Sequence, residues 1–167
     1  MDVREIFQRL EAKLGSVGLA LAQPAAGDPS ITVPAARLRD ACRFLKSDPD
    51  LAFDYLRCVS GVDLKDRMES VYHLFSTQRS HGVVLKVVLD RGNPEVDSVE
   101  PVWKSANWFE RESFDLLGIR YLGHSNLVRV MMPGDWVGHP LRKDYVEQEH
   151  YHGIPTTRPD PVGGEDA

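Results

Sequence analysis

Three short stretches concentrate the residue types that do chemistry. The first is "ERESFD", residues 110–115. Glu112 and Asp115 stand three apart, so on a helix they share a face. Paired carboxylates can work as acid and base when burial raises one pKa. Arg111 lies four residues before Asp115 and can neutralise it, so an ion-pair face is the simpler reading. Trp108, Phe109 and Phe114 stand among these charges, and arginine beside aromatic residues is typical of the energetic centres of protein interfaces. The second stretch is "HYH", 150–152. His150 and His152 on one side of an extended segment, with Glu147 or Glu149, could hold a metal. Nothing pre-organises such ligands, and a polar, partner-facing segment explains them as simply. The third is "WVGHPLRKDY", 136–145. A phosphate loop needs several glycines ahead of a helix. Here Pro140 removes a backbone donor and only Gly138 stands nearby. No strand–turn–helix elbow frames a serine nucleophile.

The third stretch poses a physical problem instead. Trp136, Leu141, Tyr145, Tyr151 and Ile154 are large apolar groups on a segment without helical or strand period. Each wastes about 1.5–3 kcal/mol of burial if left in water. Ordering each residue costs about 1–2 kcal/mol of backbone entropy. Such a segment either folds back on its own domain or lies along a partner, and its length predicts that part of it projects. Arg142 and Lys143 beside Asp144, Glu147 and Glu149 would set register against a complementary surface.

The rest of the chain supplies the scaffold. It has 167 residues, 42% hydrophobic and 27% charged, which suits one domain with a real core. A net charge of −5 with dispersed basic residues argues against nucleic-acid or anionic-membrane binding. Cys42 and Cys58 are too few to build a zinc or iron–sulfur site from this chain alone, and two free thiols in a reducing compartment are expected. No apolar run is long enough to cross a membrane, and the N-terminus lacks a signal-peptide core. The chain is expected in the cytoplasm, reaching a membrane only through a partner.

Periodicity predicts helices over 2–14, 34–47 and 103–118. Strands are expected at 17–23, 31–33, 54–63, 70–77, 82–90 and 127–132, with 91–98 a loop. The strands 70–77 and 82–90 should form an antiparallel hairpin through a connection containing Gly82, the second lying centrally in the sheet. The pattern points to a two-layer α/β (α+β) fold, a mixed sheet covered by helices, over 1–132. Residues 133–167 are expected to form an extended C-terminal tail, the last eight or so disordered.

"ERESFDLLGI" (110–119), "GHSNLVRV" (123–130) and "DWVGHPLRKDY" (135–145), in this order and spacing, resemble the C subunit of bacterial NADH–quinone oxidoreductase, the 30-kDa subunit family of respiratory complex I. The resemblance covers about residues 30–155. It rests on Glu110, Arg111, Glu112, Asp115, Leu116 and Gly118, then Gly123, His124, Leu127 and Arg129, then Trp136, Gly138, His139, Pro140, Arg142, Lys143, Asp144 and Tyr145. Three positions depart from it: Ser125 stands where Pro is common, Val128 where a second basic residue is common, and Val146 where Pro often follows the Tyr. The lost cation at 128 bears on one partner contact.

The resemblance implies a structural subunit of the peripheral arm, on the cytoplasmic side of the bacterial inner membrane, with no catalytic, cofactor or metal site of its own. FMN, iron–sulfur clusters, NADH and quinone would belong to other subunits of a proton-translocating enzyme. The principal neighbour would be the large subunit that forms the quinone cavity. Trp136 and Tyr145 would be apolar anchors of a docking arm, Arg142 and Lys143 would pair with partner carboxylates, and His139 with Pro140 would shape the turn. Glu110, Arg111, Glu112 and Asp115 would form a second polar contact or brace the arm from behind, and His124, Arg129 and Asp144 join this interface set. Removing Arg142 and Lys143 together is then expected to leave the domain's melting temperature nearly unchanged. Two alternatives stay open: the equivalent subunit of a membrane-bound hydrogenase or an F420H2- or ferredoxin-linked dehydrogenase, and a free-standing metal-dependent enzyme built on His150 and His152.

Overall fold

The computed structural model describes residues 1–156. The expectation of disorder in the last eight residues lies outside them. Helix α1 (Val3–Leu14) opens on a capping box: the Asp2 side chain accepts from Val3 N–H, and Glu5 reaches back to Asp2 N–H at 3.1 Å. Strands β1 (Ala20–Ala22) and β2 (Ser30–Thr32) follow, then a 3-10 turn at Ala35–Arg37 and α2 (Leu38–Ser47). Strands β3 (Tyr55–Asp63), β4 (Arg67–Ser76), β5 (His81–Asp90) and β6 (Glu95–Asp97) lead to α3 (Ala106–Leu117) and β7 (Arg120–Leu122). Two short strands, β8 (His150–Tyr151) and β9 (Ile154–Pro155), close the described chain.

The main sheet runs β1-β2-β5-β4-β3 and is mixed: β2 lies parallel to β5, and its other pairs are antiparallel. The two-layer α/β expectation holds, and β5 is the central strand. Alternation along β4 buries Met68, Ser70, Tyr72, Leu74 and Ser76. The apolar members of this row share one core with Ile6 and Leu10 of α1, Leu38, Ala41 and Leu45 of α2, and Ala106 and Leu117 of α3. Gly61 of β3 lets α3 come close, since a Cβ there would stand 2.4 Å from Leu117 Cδ1.

Several local expectations are corrected. Residues 127–132 are not a strand, because the N–H groups of 130–132 go to a side-chain carboxylate rather than to a ladder. The expected loop at 91–98 contains β6, which pairs in parallel with β7 in a second small sheet. The hairpin turn is Thr77–Ser80, and Gly82 lies within β5 opposite Phe75. The third helix begins at Ala106, after turns that bury Trp103 with its indole N–H on Phe53 C=O at 3.0 Å. The cysteines are both free, Cys42 buried on α2 and Cys58 half-buried on β3.

Among the described residues the buried Tyr72 hydroxyl has no hydrogen-bond partner. An unpaired buried hydroxyl costs about 1–3 kcal/mol. Tyr72→Phe is therefore expected to leave the melting temperature unchanged or raise it; a loss above about 1 kcal/mol in denaturant unfolding would show a partner for that hydroxyl.

Candidate docking interface

The segment after Met132 is a string of turns held against the domain. Trp136 N–H donates to Pro133 C=O, Arg142 N–H to His139 C=O and Tyr145 N–H to Arg142 C=O. Pro140 takes the second position of the middle turn, where its fixed φ fits. His139 with Pro140 thus shapes a turn.

That turn caps α3. A helix leaves its last carbonyls without backbone partners, and here each finds one. Gly118 N–H donates to Phe114 C=O at 2.8 Å, with Gly118 left-handed at φ 75°. His139 Nδ1 donates to Asp115 C=O at 2.9 Å. Leu141 N–H donates to Leu116 C=O at 2.9 Å. Arg142 Nε donates to Leu117 C=O at 2.7 Å. The Arg142 guanidinium also stands where the helix dipole is negative. Gly118 leaves room for these caps: a Cβ there would meet the His139 ring at 2.7 Å and Arg142 Nη2 at 2.8 Å.

Asp115 holds the segment that leads into this turn. It is wholly buried. Its Oδ2 accepts the N–H groups of Val130, Met131 and Met132 at 2.7–2.9 Å, and Arg129 Nη1 donates to Oδ1 at 2.7 Å. Burial alone would raise its pKa, but these donors outweigh it and hold the carboxyl below the ordinary 3.8. Arg129 continues to Gly138 C=O through Nη2 at 2.9 Å. Arg111 does not neutralise Asp115. Its Nε and Nη2 donate to the carbonyls of Val128 and Arg129, and its guanidinium stacks on Trp108 at 4.8 Å.

A second clamp fixes the far side of the turn. Asp63, at the end of β3, takes Arg91 in a two-pronged pair at 2.9 and 3.0 Å and also accepts Lys143 N–H at 2.9 Å. Arg91 bridges on to Asp144 at 2.7 Å. The Arg91 guanidinium, aided by the N–H donors, holds the Asp63 carboxyl well below the usual range. Trp136 Nε1 donates to the Tyr145 hydroxyl at 3.0 Å. Tyr145 lies against Gly138, whose φ of 81° and lack of Cβ admit the ring. Beyond it, β8 and β9 form a hairpin whose His152 and Gly153 both have positive φ, as a two-residue turn requires. Asp135 ties it back by accepting from the Tyr151 hydroxyl at 2.8 Å and His152 Nε2 at 2.7 Å.

The residues proposed from sequence therefore divide. Within this chain Glu110 and Asp115 are buried; Asp115 braces the arm, and Glu110 accepts Ser98 Oγ at 2.6 Å and Val99 N–H at 2.7 Å. Arg142 is half-buried and is engaged within its own domain through Nε on Leu117 C=O. Trp136 and Tyr145 are half-buried and grip each other. His124 shapes the 123–126 loop, donating from Nε2 to Asn107 C=O and accepting Asn126 N–H at Nδ1. Glu112 and the Lys143 side chain are exposed. Ser125 donates its own N–H to Glu100, a bond that proline could not make. Asp63 and Arg91 escape the sequence reading. Their signal is register: the β3–β4–β5 meander brings the end of β3 and the end of β5 to one edge. Among the described residues no group of three His, Cys, Asp or Glu side chains converges as a metal site.

Besides exposed charges such as Glu112, Lys143 and Asp144, this surface carries large apolar side chains. Trp108 is 62% accessible, Met131 62%, Leu141 58% and Val146 85%, with Val128 and Val137 also open. Leu141 lines a groove with Phe109, Glu112, Leu116 and the Cys58–Gly61 stretch of β3. Trp108 stands on α3, Val128 and Met131 on the segment after β7, and Val137, Leu141 and Val146 on the arm; these side chains make up the α3–arm strip.

Comparison with known proteins decides the family. The family described as respiratory-chain NADH dehydrogenase, 30 Kd subunit, matches residues 31–151. The chain belongs to that family. A relative from Roseiflexus sp. (strain RS-1), named as the C subunit of NADH-quinone oxidoreductase, is 44% identical over 147 residues, 86% of this chain and 84% of the relative. The relative of the same name from Chlorobium phaeobacteroides is 43% identical over 118 residues, 69% of this chain and 71% of that one. Among solved structures, a trypsin-resistant fragment of Nqo5 superposes with a TM-score of 0.65 at 25% identity, covering 76% of this chain and all of the fragment. A chain of an archaeal respiratory membrane complex, the membrane-bound sulfane sulfur reductase, shares the fold with a TM-score of 0.65 at 21% identity over 86% of this chain and 85% of its own.

The caps and the Asp115 cradle can each be tested by substitution. Arg142→Ala should cost about 1.5–3 kcal/mol of unfolding free energy, the worth of a charged hydrogen bond; a change below about 0.5 kcal/mol in urea melts would return Arg142 to a partner-facing role. Because the folded Asp115 carboxyl is held below 3.8, its stabilisation is complete above that pH and is lost as pH falls through the folded value. Asp115→Asn should destabilise strongly at neutral pH and flatten the acid limb of the stability curve. An unchanged acid limb would mean that other carboxylates set it.

Proposed function

We propose that this chain is a structural subunit of the peripheral arm of a proton-translocating NADH–quinone oxidoreductase. It docks through the α3–arm strip on the large subunit that forms the quinone cavity. Electrons pass through FMN and iron–sulfur clusters on other subunits, and the chain sits on the cytoplasmic side of the bacterial inner membrane. Relatives named as the C subunit of that enzyme match over 84% of their length, which supports the assembly. The observation that carries the docking reading is a strip of large apolar side chains kept exposed on a segment that is otherwise tied down. Exposed apolar patches of this kind mark interaction sites. Two cysteines on separate elements cannot supply the four thiolates of a cluster. No helix among the described residues is long and apolar enough to cross a membrane, and on this reading membrane association runs through the partners.

The fold shared with a second respiratory membrane complex keeps one other reading, the equivalent subunit of a related membrane-bound hydrogenase or dehydrogenase. Co-purification from native membranes separates them by the donor-binding subunits recovered. The same experiment tests docking. Trp108→Ala combined with Leu141→Ala should abolish recovery of the large quinone-site subunit, each hot-spot truncation being worth about 2 kcal/mol or more, while the isolated chain keeps its folded core. Full recovery with this double variant would remove the strip from the interface.

A further inference from the structure

Glu110 sits in an unusual place for a carboxylate. It is 0% exposed in the core, on the inner side of α3. Its two hydrogen bonds come from Ser98 Oγ and Val99 N–H, and no cation lies within salt-bridge distance of it among the described residues. The cation that acts on it, Arg39 of α2, is committed to the carbonyls of Ser98 and Leu122 and to Asp97. The other titratable groups around it are Cys42 of α2, Tyr72 of β4, Tyr121 of β7 and Glu100 of the 98–100 turn. Burial pushes the Cys42 thiol and both tyrosines up, so all three stay neutral. Glu100 is anionic and repels. A buried charge without a cation is costly, and a carboxyl so placed keeps its proton instead.

A line of hydrogen bonds leads outward from this group. Ser98 Oγ, bonded to Glu110 at 2.6 Å, also accepts Glu100 N–H at 3.1 Å. The Glu100 carboxylate accepts Ser125 N–H at 2.9 Å, Ser125 Oγ at 2.8 Å and Asn107 Nδ2 at 3.2 Å. Asn107 precedes the exposed Trp108 in the first turn of α3. One buried carboxyl thus holds the 98–100 turn, and that turn holds the 123–126 loop and the start of the helix.

We propose that Glu110 is a proton-binding switch in the core. Protonated, it is uncharged and donates to Ser98 Oγ, whose own hydrogen turns away; ionised, having given its proton to solvent, it accepts from Ser98 Oγ and Val99 N–H but leaves a buried charge with no cation, which favours opening of the turn and, through Glu100, of the 123–126 loop beside Trp108. The device belongs to this chain and stands whether or not the strip docks. Burial, opposed by the Ser98 and Val99 hydrogen bonds and reinforced by Glu100, raises the carboxyl from 4.5 to about 7. With the folded value raised, the stabilisation is complete below about 4.5 and is lost as pH rises through about 7.

The test is carboxyl-carbon NMR of Glu110 in the full-length chain, with amide exchange at Val99, Glu100 and Ser125, corrected for intrinsic rates. Glu110 should titrate near neutrality, and the opening constant of the turn should rise about tenfold per pH unit from about pH 5 to about pH 7. Glu110→Gln, which keeps an acceptor for Val99 and a donor for Ser98, should flatten that rise. A Glu110 midpoint near the ordinary glutamate value overturns the proposal, as does the same rise persisting in the Gln variant. If the variant does not fold, the wild-type midpoint decides alone.

Discussion

Helix α3 ends in four carbonyls that its own backbone cannot satisfy, and three of their partners come from residues 24 or 25 positions further on. His139, Leu141 and Arg142 reach Asp115, Leu116 and Leu117, while Gly118 closes the fourth. This capping explains why an aperiodic stretch with two cations is ordered. Its backbone makes no ladder because its donors serve the end of a helix. Arg142 sits there because the helix dipole favours a cation. Gly118 and Gly138 stand where side chains would push His139 and Tyr145 away.

Three of the four buried acids among the described residues do most of the remaining organising, by two different balances. Asp115 collects three N–H groups and an arginine and stays ionised. Asp63 does the same with Arg91 and the backbone of Lys143, fixing the arm to the end of the sheet. Glu110 has only a hydroxyl and one N–H, and its charge is not offset. Similar burial thus produces opposite protonation preferences, decided by how many donors converge on the carboxyl. Polar contacts set the shape of the arm, while Trp108, Met131, Leu141 and Val146 stay exposed beside it; on the proposed reading these apolar side chains meet another protein.

The scaffold is legible in sequence because its signals are local. Helical spacing of Val3, Ile6 and Leu10 and alternation through 70–77 and 82–90 depend on neighbours a few residues apart. Residues 127–132 mislead for a physical reason. "LVRVMM" has strand composition, but Asp115, a dozen or more residues away, takes its N–H groups. The arm's residues stand out in the sequence, yet their spacing does not show that the end of a helix takes a donor from Arg142. Asp63 and Arg91 carry no local signal at all; only strand register brings them together. The three motifs of the resemblance meet in one region, where the end of α3 joins the chain that braces and caps it.

If the arm is the cap of α3, then removing it must unsettle the helix's last turn more than the rest of the core. Amide exchange on a chain ending at Met132, compared with the full chain, measures this directly. The account predicts that protection falls about tenfold or more for Phe114–Leu117, with α1 and β4 changing far less, since a lost cap is worth about 1 kcal/mol or more. Unchanged protection in that turn would mean that the arm merely rests on a helix already complete without it.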